Sequence, residues 1–184
     1  MRNYIIFGAP GAGKGTQADL IAKKFGLIHL SSGAILRREI SKGELGKKIK
    51  TCLDKGRLVP DTLIISLMEK QIKRDLKSGL VLDGYPRTLR QARSLDRLLK
   101  NKKTKIDAVL NLHLDQALAL KRIILRGQTS GRSDDNAKTI KKRFAVYRLE
   151  TAPLLDYYRQ QKKLINIDGR PEISANFKNI TSRL

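Results

Sequence analysis

Apolar residues fall in two kinds of run along the chain. Tyr4–Phe7, Ile28–Leu30, Leu80–Leu82, Ala108–Leu114 and Leu164–Ile167 are short apolar blocks, the signature of strands buried on both faces. Between them lie longer stretches with helical spacing. Gln17–Phe25 puts Ala18, Ile21, Ala22 and Phe25 on one face. Ser32–Ile40, Gly46–Asp54, Asp61–Asp75, Thr88–Leu99 and Gln116–Leu125 also read as helices, and Asp61 follows Pro60 as an expected N-cap. A polar gap, Gly127–Gly131, precedes one long helical pattern over Asn136–Lys162, and a last helix is expected over Pro171–Arg183.

Strands alternating with helices predict an α/β fold, a parallel sheet covered by helices on both faces. The stretch Ser31–Pro60 breaks the alternation, with helices and no strand between them, and reads as a helical insert. No internal repeat or low-complexity linker divides the chain, so residues 1–184 are expected to form one domain.

A chain of 184 residues with 40% hydrophobic positions can bury its own core. Its charge is unusual: 39 Lys and Arg against 17 Asp and Glu, a net +22, which first suggests a nucleic-acid partner. The distribution weakens that reading. Residues 1–92 carry 18 basic and 8 acidic side chains and residues 93–184 carry 21 and 9, so there is no basic tail. The chain lacks Trp and has 5 Tyr and 4 Phe, a poor supply of base-stacking platforms.

Cys52 is the single cysteine, which permits no internal disulfide and no cysteine-based zinc site; it reads as a half-buried helix residue. The apolar stretch before Gly8 is too short for a signal peptide, and no window approaches the roughly 20 apolar residues of a membrane span. A soluble cytoplasmic monomer with no membrane and no obligate nucleic-acid partner is expected. His29 and His113, far apart in sequence, are expected to be packed rather than metal ligands.

The strongest chemical signal is Gly8-Ala9-Pro10-Gly11-Ala12-Gly13-Lys14-Gly15-Thr16, between a strand and a helix. Its glycines let consecutive N–H groups turn toward one phosphate, the helix N-terminus adds partial positive charge, and Lys14 reaches the β- and γ-phosphates. Gly15 stands where Ser or Thr is usual and Thr16 comes one later, so a metal is expected to be held less directly, through water and phosphate oxygens. Such a loop binds a nucleoside triphosphate but does not separate a switch, a motor and a kinase.

Two further segments narrow the choice. Leu82-Asp83-Gly84-Tyr85-Pro86-Arg87-Thr88 and Ser31-Ser32-Gly33 with Leu36-Arg37, together with the loop ending in Gly15-Thr16, resemble the signatures of nucleoside monophosphate kinases, and of adenylate kinases in particular. The resemblance runs from Met1 to Asp168-Gly169-Arg170-Pro171. It implies a P-loop NTPase fold and reversible Mg²⁺-dependent transfer, ATP + AMP ⇌ 2 ADP.

It also implies roles. Gly11, Ala12, Gly13, Lys14, Gly15, Thr16, Arg122, Arg126 and Arg170 fall on the ATP side. Ser32, Arg37, Arg57, Leu58, Val59, Gly84, Tyr85, Pro86, Arg87 and Gln91 fall on the AMP side, with Arg132 and Arg143 reaching the transferring phosphoryl. Lys14, Arg87, Arg126, Arg132 and Arg143 would be catalytic, Gln91 would read the adenine edge, and Asp83 would orient Mg²⁺ through water.

The chemistry agrees: two polyphosphates repel, and arginine forks neutralise and align them. Only five residues separate Arg126 from Arg132, so residues 126–135 would form a short lid without zinc, and 31–60 the monophosphate-binding insert. Asp134 and Asp135 are read as caps of the long helix and hinges of the lid.

Two positions depart from the family pattern: Ala34 stands where Asp is common, and Ser32 where Thr is frequent. Uridylate/cytidylate kinases share the architecture, and Gln91 is the residue that favours AMP. A nucleic-acid-associated P-loop protein is the less favoured alternative.

Overall fold

The computed structural model describes residues 1–130 and 134–184. Five strands form one parallel sheet: β1 (Asn3–Gly8), β2 (Ile28–Ser31), β3 (Leu80–Asp83), β4 (Ala108–His113) and β5 (Leu164–Asp168), in the order β2-β3-β1-β4-β5. Helices α1 (Lys14–Phe25), α2 (Ser32–Glu39), α3 (Gly43–Asp54), α4 (Asp61–Asp75), α5 (Leu89–Asn101), α6 (Gln116–Ser130), α7 (Ala137–Val146), α8 (Pro153–Gln160) and α9 (Ile173–Thr181) cover it. This is the α/β fold with a covered parallel sheet that the alternation of strands and helices predicts, and the P-loop fold that the resemblance implies.

Successive strand side chains point to opposite faces, and two cores result. Ile5 and Phe7 join Leu80, Leu82 and Val109 against α2–α5 and α8, around Met68, Ile72, Leu95 and Tyr158. Tyr4 and Ile6 join Val81, Leu110 and Leu112 on the other face, against Ala18 and Ile21 of α1, Ile123 of α6 and Phe144 of α7. Burial on both faces is what makes the blocks in β1 and β3, Tyr4–Phe7 and Leu80–Leu82, continuously apolar.

The order of strand addition, not the strand direction, reverses at β1: the sheet grows toward β3 and β2 on one side and toward β4 and β5 on the other. Open α/β sheets bind ligands beyond the carboxyl ends of strands at such a point. Register aligns the parts, because Ile6 pairs with Asp83 and Asp83 with Ser31. The Gly8 loop, the Asp83–Gly84 corner and the Ser31–Ser32 start of α2 therefore share one rim.

Several boundaries differ from the periodicity. The polar stretch after Leu125 stays helical, and α6 runs to Ser130. The long pattern over Asn136–Lys162 is interrupted: a π turn spans Tyr147–Thr151, closed by Ala152 N–H donating to Tyr147 O at 2.9 Å. Pro153, first residue of α8, has no N–H to continue an α ladder, which accounts for the break. The last helix starts at Ile173, not Pro171, whose carbonyl accepts from Asn176 Nδ2 at 3.0 Å. Asp61 does not cap α4; it lies one residue inside and its carboxylate turns to α5. Among the described residues no helix is long and apolar enough to cross a membrane.

Candidate active site

The loop between β1 and α1 owes its shape to glycines. Gly11 has φ +83°, and a Cβ there would stand 2.4 Å from Ala119 O, so the loop lies directly against α6. Gly13, with φ +86°, precedes Lys14 and offers no side chain to cap α1, which leaves the helix's first N–H groups for an anion.

Lys14 Nζ donates to Gly8 O and Ala9 O, each at 2.9 Å. Burial lowers its pKa to about 8, with Arg87, Arg143 and Arg126 adding to the drop and Asp83 opposing it. The ammonium stands near three arginines with two neutral carbonyls as its hydrogen-bond acceptors, a setting that favours an anion.

The residues expected on the ATP side, Gly11, Ala12, Gly13, Lys14, Gly15, Thr16, Arg122 and Arg126, line one cavity. Its far wall is Pro171–Ile173 and Asn176, tied to α1 by Gln17 Nε2 donating to Ile173 O at 3.0 Å. Arg122 donates to Gly169 O and Arg170 O at 3.0 and 3.2 Å and so braces that wall. Arg170 itself is not in the lining; its guanidinium turns outward to an exposed pair with Asp168. A carboxylate two residues away holds it there.

Asp83 closes β3 and lines the same cavity. Its Oδ2 accepts from Ser31 Oγ at 3.3 Å and lies 3.7 Å from His29 Nε2, while His29 Nδ1 pairs with Asp19 at 2.6 Å. His29 is thus packed in a carboxylate network, and His113 is exposed. Burial pushes the Asp83 pKa up, but His29, Lys14 and Arg87 outweigh it and hold the carboxyl below its usual range.

A triphosphate-borne Mg²⁺ fits this donor set. A Cβ on Gly15 would lie 3.5 Å from Asp83 Oδ2, so a hard, ionised oxygen faces the loop. Among the described residues no three His, Cys, Asp or Glu form a metal cage. One carboxylate plus phosphates and water is the usual Mg²⁺ arrangement.

The second cavity lies between α2, α3, the start of α4 and the Gly84–Gln91 corner. Ser32, Arg37, Arg57, Leu58, Val59, Gly84, Pro86, Arg87, Gln91 and Arg143 line it, with Leu36 and Ile64 as apolar wall. Tyr85 does not; it is 1% exposed and packs into the core beneath. Gly84 has φ +72°, and a Cβ there would meet Ser32 Oγ at 2.8 Å and Arg87 Nη2 at 2.9 Å, so glycine lets three functional parts converge. Its carbonyl accepts from Ser32 Oγ at 2.6 Å and Arg87 Nε at 2.8 Å. Position 34 needs no carboxylate, since Ser31 Oγ caps α2 by accepting from Ala34 N–H at 3.4 Å.

Asp134 and Asp135 do other work than capping. Asn136 caps α7, accepting from Thr139 N–H at 3.0 Å. Asp134 is 3.4 Å from Arg37 and 2.9 Å from Arg143. Asp135 accepts two bonds from Arg126 at 2.8 and 2.7 Å and one from Arg143 at 2.9 Å. Burial raises the Asp135 pKa, and the two arginines more than reverse it. Sequence spacing could not reveal Arg37–Asp134, since the partners are 97 residues apart. Arg132 lies outside the described residues.

Lys14, Arg37, Arg87 and Arg143 line both cavities. Burial lowers the Arg87 pKa, and Arg143 and Arg37 press in the same direction. Two anion-ready chambers sharing a cationic wall define a P-loop phosphotransferase with a separate acceptor site.

Comparison with known proteins sharpens the class. The family model described as "Adenylate kinase" matches residues 6–163. The chain is 45% identical over 184 residues to the adenylate kinase of Phocaeicola vulgatus, covering 99% of this chain and 97% of that one. It is 45% identical over 183 residues to the adenylate kinase of Parabacteroides distasonis, covering 98% and 96%. It is 43% identical over 186 residues to that of Azobacteroides pseudotrichonymphae, covering 100% and 97%. The chain belongs to the adenylate kinase family. The activity is that of a nucleoside monophosphate kinase, ATP + AMP ⇌ 2 ADP; nothing in these matches favours the uridylate/cytidylate or nucleic-acid alternatives.

Proposed function

We propose that ATP occupies the P-loop cavity and AMP the Gly84–Gln91 cavity, and that the phosphoryl group crosses at the wall of Lys14, Arg37, Arg87 and Arg143. The observation that carries this division is that these four cations line both cavities. Phosphoryl transfer needs positioning and neutralisation of charge shared between the attacking and leaving oxygens, and that place is the common wall. The attacking oxygen of a monophosphate is already deprotonated, so no general base is required.

Roles follow from position. The Gly11–Thr16 backbone and Lys14 hold the triphosphate. Arg37 and Arg87 hold the monophosphate, Gln91 faces its base, and Arg57–Val59 line the base pocket. Arg126 and Arg143 approach the transferring group; Arg132, expected there from the family resemblance, lies outside the described residues. A Mg²⁺ ion carried by the triphosphate would neutralise its charge, with Asp83 as the residue that holds its water shell.

Residues 126–135 and 31–60 act as two closing parts that exclude water and so suppress hydrolysis of the triphosphate. The chain works as a cytoplasmic monomer.

The test is purified protein with Mg·ATP and AMP, UMP or CMP in turn, scored for ADP. AMP should be much the best acceptor. Preference for UMP or CMP would overturn the assignment of the second cavity.

A further inference from the structure

Gln91 is 2% exposed, and its amide is held from two sides by partners with fixed chemistry. Its Oε1 accepts from the Arg87 backbone N–H at 2.7 Å, and its Nε2 donates to Asp61 Oδ1 at 2.7 Å. A peptide N–H can only donate and a carboxylate can only accept. Turning the amide over would set N–H against N–H and carbonyl against carboxylate, leaving buried groups mispaired. Asp61 is in turn fixed by Thr88, whose Oγ1 donates to Asp61 Oδ2 at 2.9 Å while accepting from Gln91 N–H at 3.2 Å.

We infer that Asp61 is a specificity-determining positioning residue: it locks the Gln91 amide so that the acceptor cavity presents one carbonyl lone pair beside one N–H. With one lone pair of Oε1 and one hydrogen of Nε2 committed, one of each is left for a ligand. That pattern complements a 6-aminopurine edge, which donates from its amino group and accepts at N1. It opposes a 6-oxopurine edge, which accepts at O6 and donates from N1–H. Asp61 therefore discriminates adenine from hypoxanthine without touching either. Its place right after Pro60, where it reads as an N-cap, is what disguises this role. The inference rests on the reading that Gln91 faces the monophosphate base.

The experiment measures equilibrium binding and kcat/KM of the purified enzyme for AMP and IMP, which differ in the 6-substituent and the N1 proton. The variants are Asp61→Ala, Asp61→Asn and Gln91→Leu. Asp61→Ala should lower the AMP:IMP selectivity ratio by about tenfold or more, the worth of one unsatisfied buried amide bond. Asp61→Asn keeps an acceptor oxygen, conserves the shape of the site, and should retain most of the ratio. Gln91→Leu should abolish it. If Gln91→Leu collapses the ratio but both Asp61 variants leave it intact, with affinities for AMP and IMP falling in parallel, Asp61 is only a structural residue and the inference fails. If Gln91→Leu itself leaves the ratio unchanged, the base does not sit on Gln91, and the inference fails with the reading beneath it.

Discussion

The two cavities are built by different means although they share a wall. The P-loop cavity is centred on a backbone cradle, a loop turned by Gly11 and Gly13 at a helix end, with one lysine resting on loop carbonyls and arginines around it. The Gly84–Gln91 cavity is walled by side chains held in place by their neighbours: Ser32 and Arg87 on the Gly84 carbonyl, and Gln91 between the Asp61 carboxylate and the Arg87 backbone N–H. A backbone cradle recognises any phosphate and is damaged by adding atoms. A side-chain pocket recognises one partner and is damaged by removing them. The difference matches the task, since phosphate is common to both substrates and the acceptor base must be chosen.

The largest effects should come from the wall both sides use. Arg87→Ala and Lys14→Ala should each lower turnover by about 10²–10⁴, as for loss of one preorganised contact to developing charge; steady-state rates on folded variants check this. Near-normal rates would detach the wall from the chemistry.

Next comes the backbone side. Gly11→Ala drives a Cβ to 2.4 Å from Ala119 O at φ +83°, and should cost about 1–3 kcal/mol in urea unfolding and weaken ATP before AMP. Ser32→Ala should do the reverse, raising KM for AMP several-fold and leaving that for ATP nearly unchanged. Equal effects of both variants on both substrates would erase the distinction.

A smaller signal comes from the titration of Lys14 on the shared wall. Lys14 has a folded pKa of about 8 against 10.5 ordinarily. The unfolded chain keeps this proton after the folded chain releases it, so the free protein should gain stability as pH climbs from 8 to 10.5. A bound triphosphate restores the charge. ATP binding near pH 8 should take up protons, and the uptake should fade well below that pH, read by calorimetry in buffers of different ionisation heat. The smallest effect belongs to Arg170→Ala, whose exposed pair with Asp168 lies off the cavity lining; turnover should stay within about twofold.

Much of this arrangement is legible in the sequence because it is local. The strand blocks, the glycine loop and the Gly84–Arg87 corner are contiguous, and each carries its own physical reason. What stays hidden is long-range. Asp61 meets Gln91 across 30 residues and Asp134 meets Arg37 across 97, and each acid has a plausible local role as a helix cap that masks its real partner. The π turn before Pro153 keeps helical periodicity and so escapes notice, although it brings Tyr147 and Thr151 to the acceptor wall. The charge of +22 also changes meaning. Lys14, Arg37, Arg87, Arg122, Arg126 and Arg143 face the two cavities. The first expectation, nucleic acid, gives way to two small anions.

In the proposed reaction both nucleotides occupy the site together and the phosphoryl group passes directly between them. Initial rates over a grid of Mg·ATP and AMP concentrations test it most directly. Direct transfer predicts reciprocal plots that intersect, with no phosphate retained on the protein when ATP is supplied alone. Parallel lines with a phosphorylated protein intermediate would contradict it.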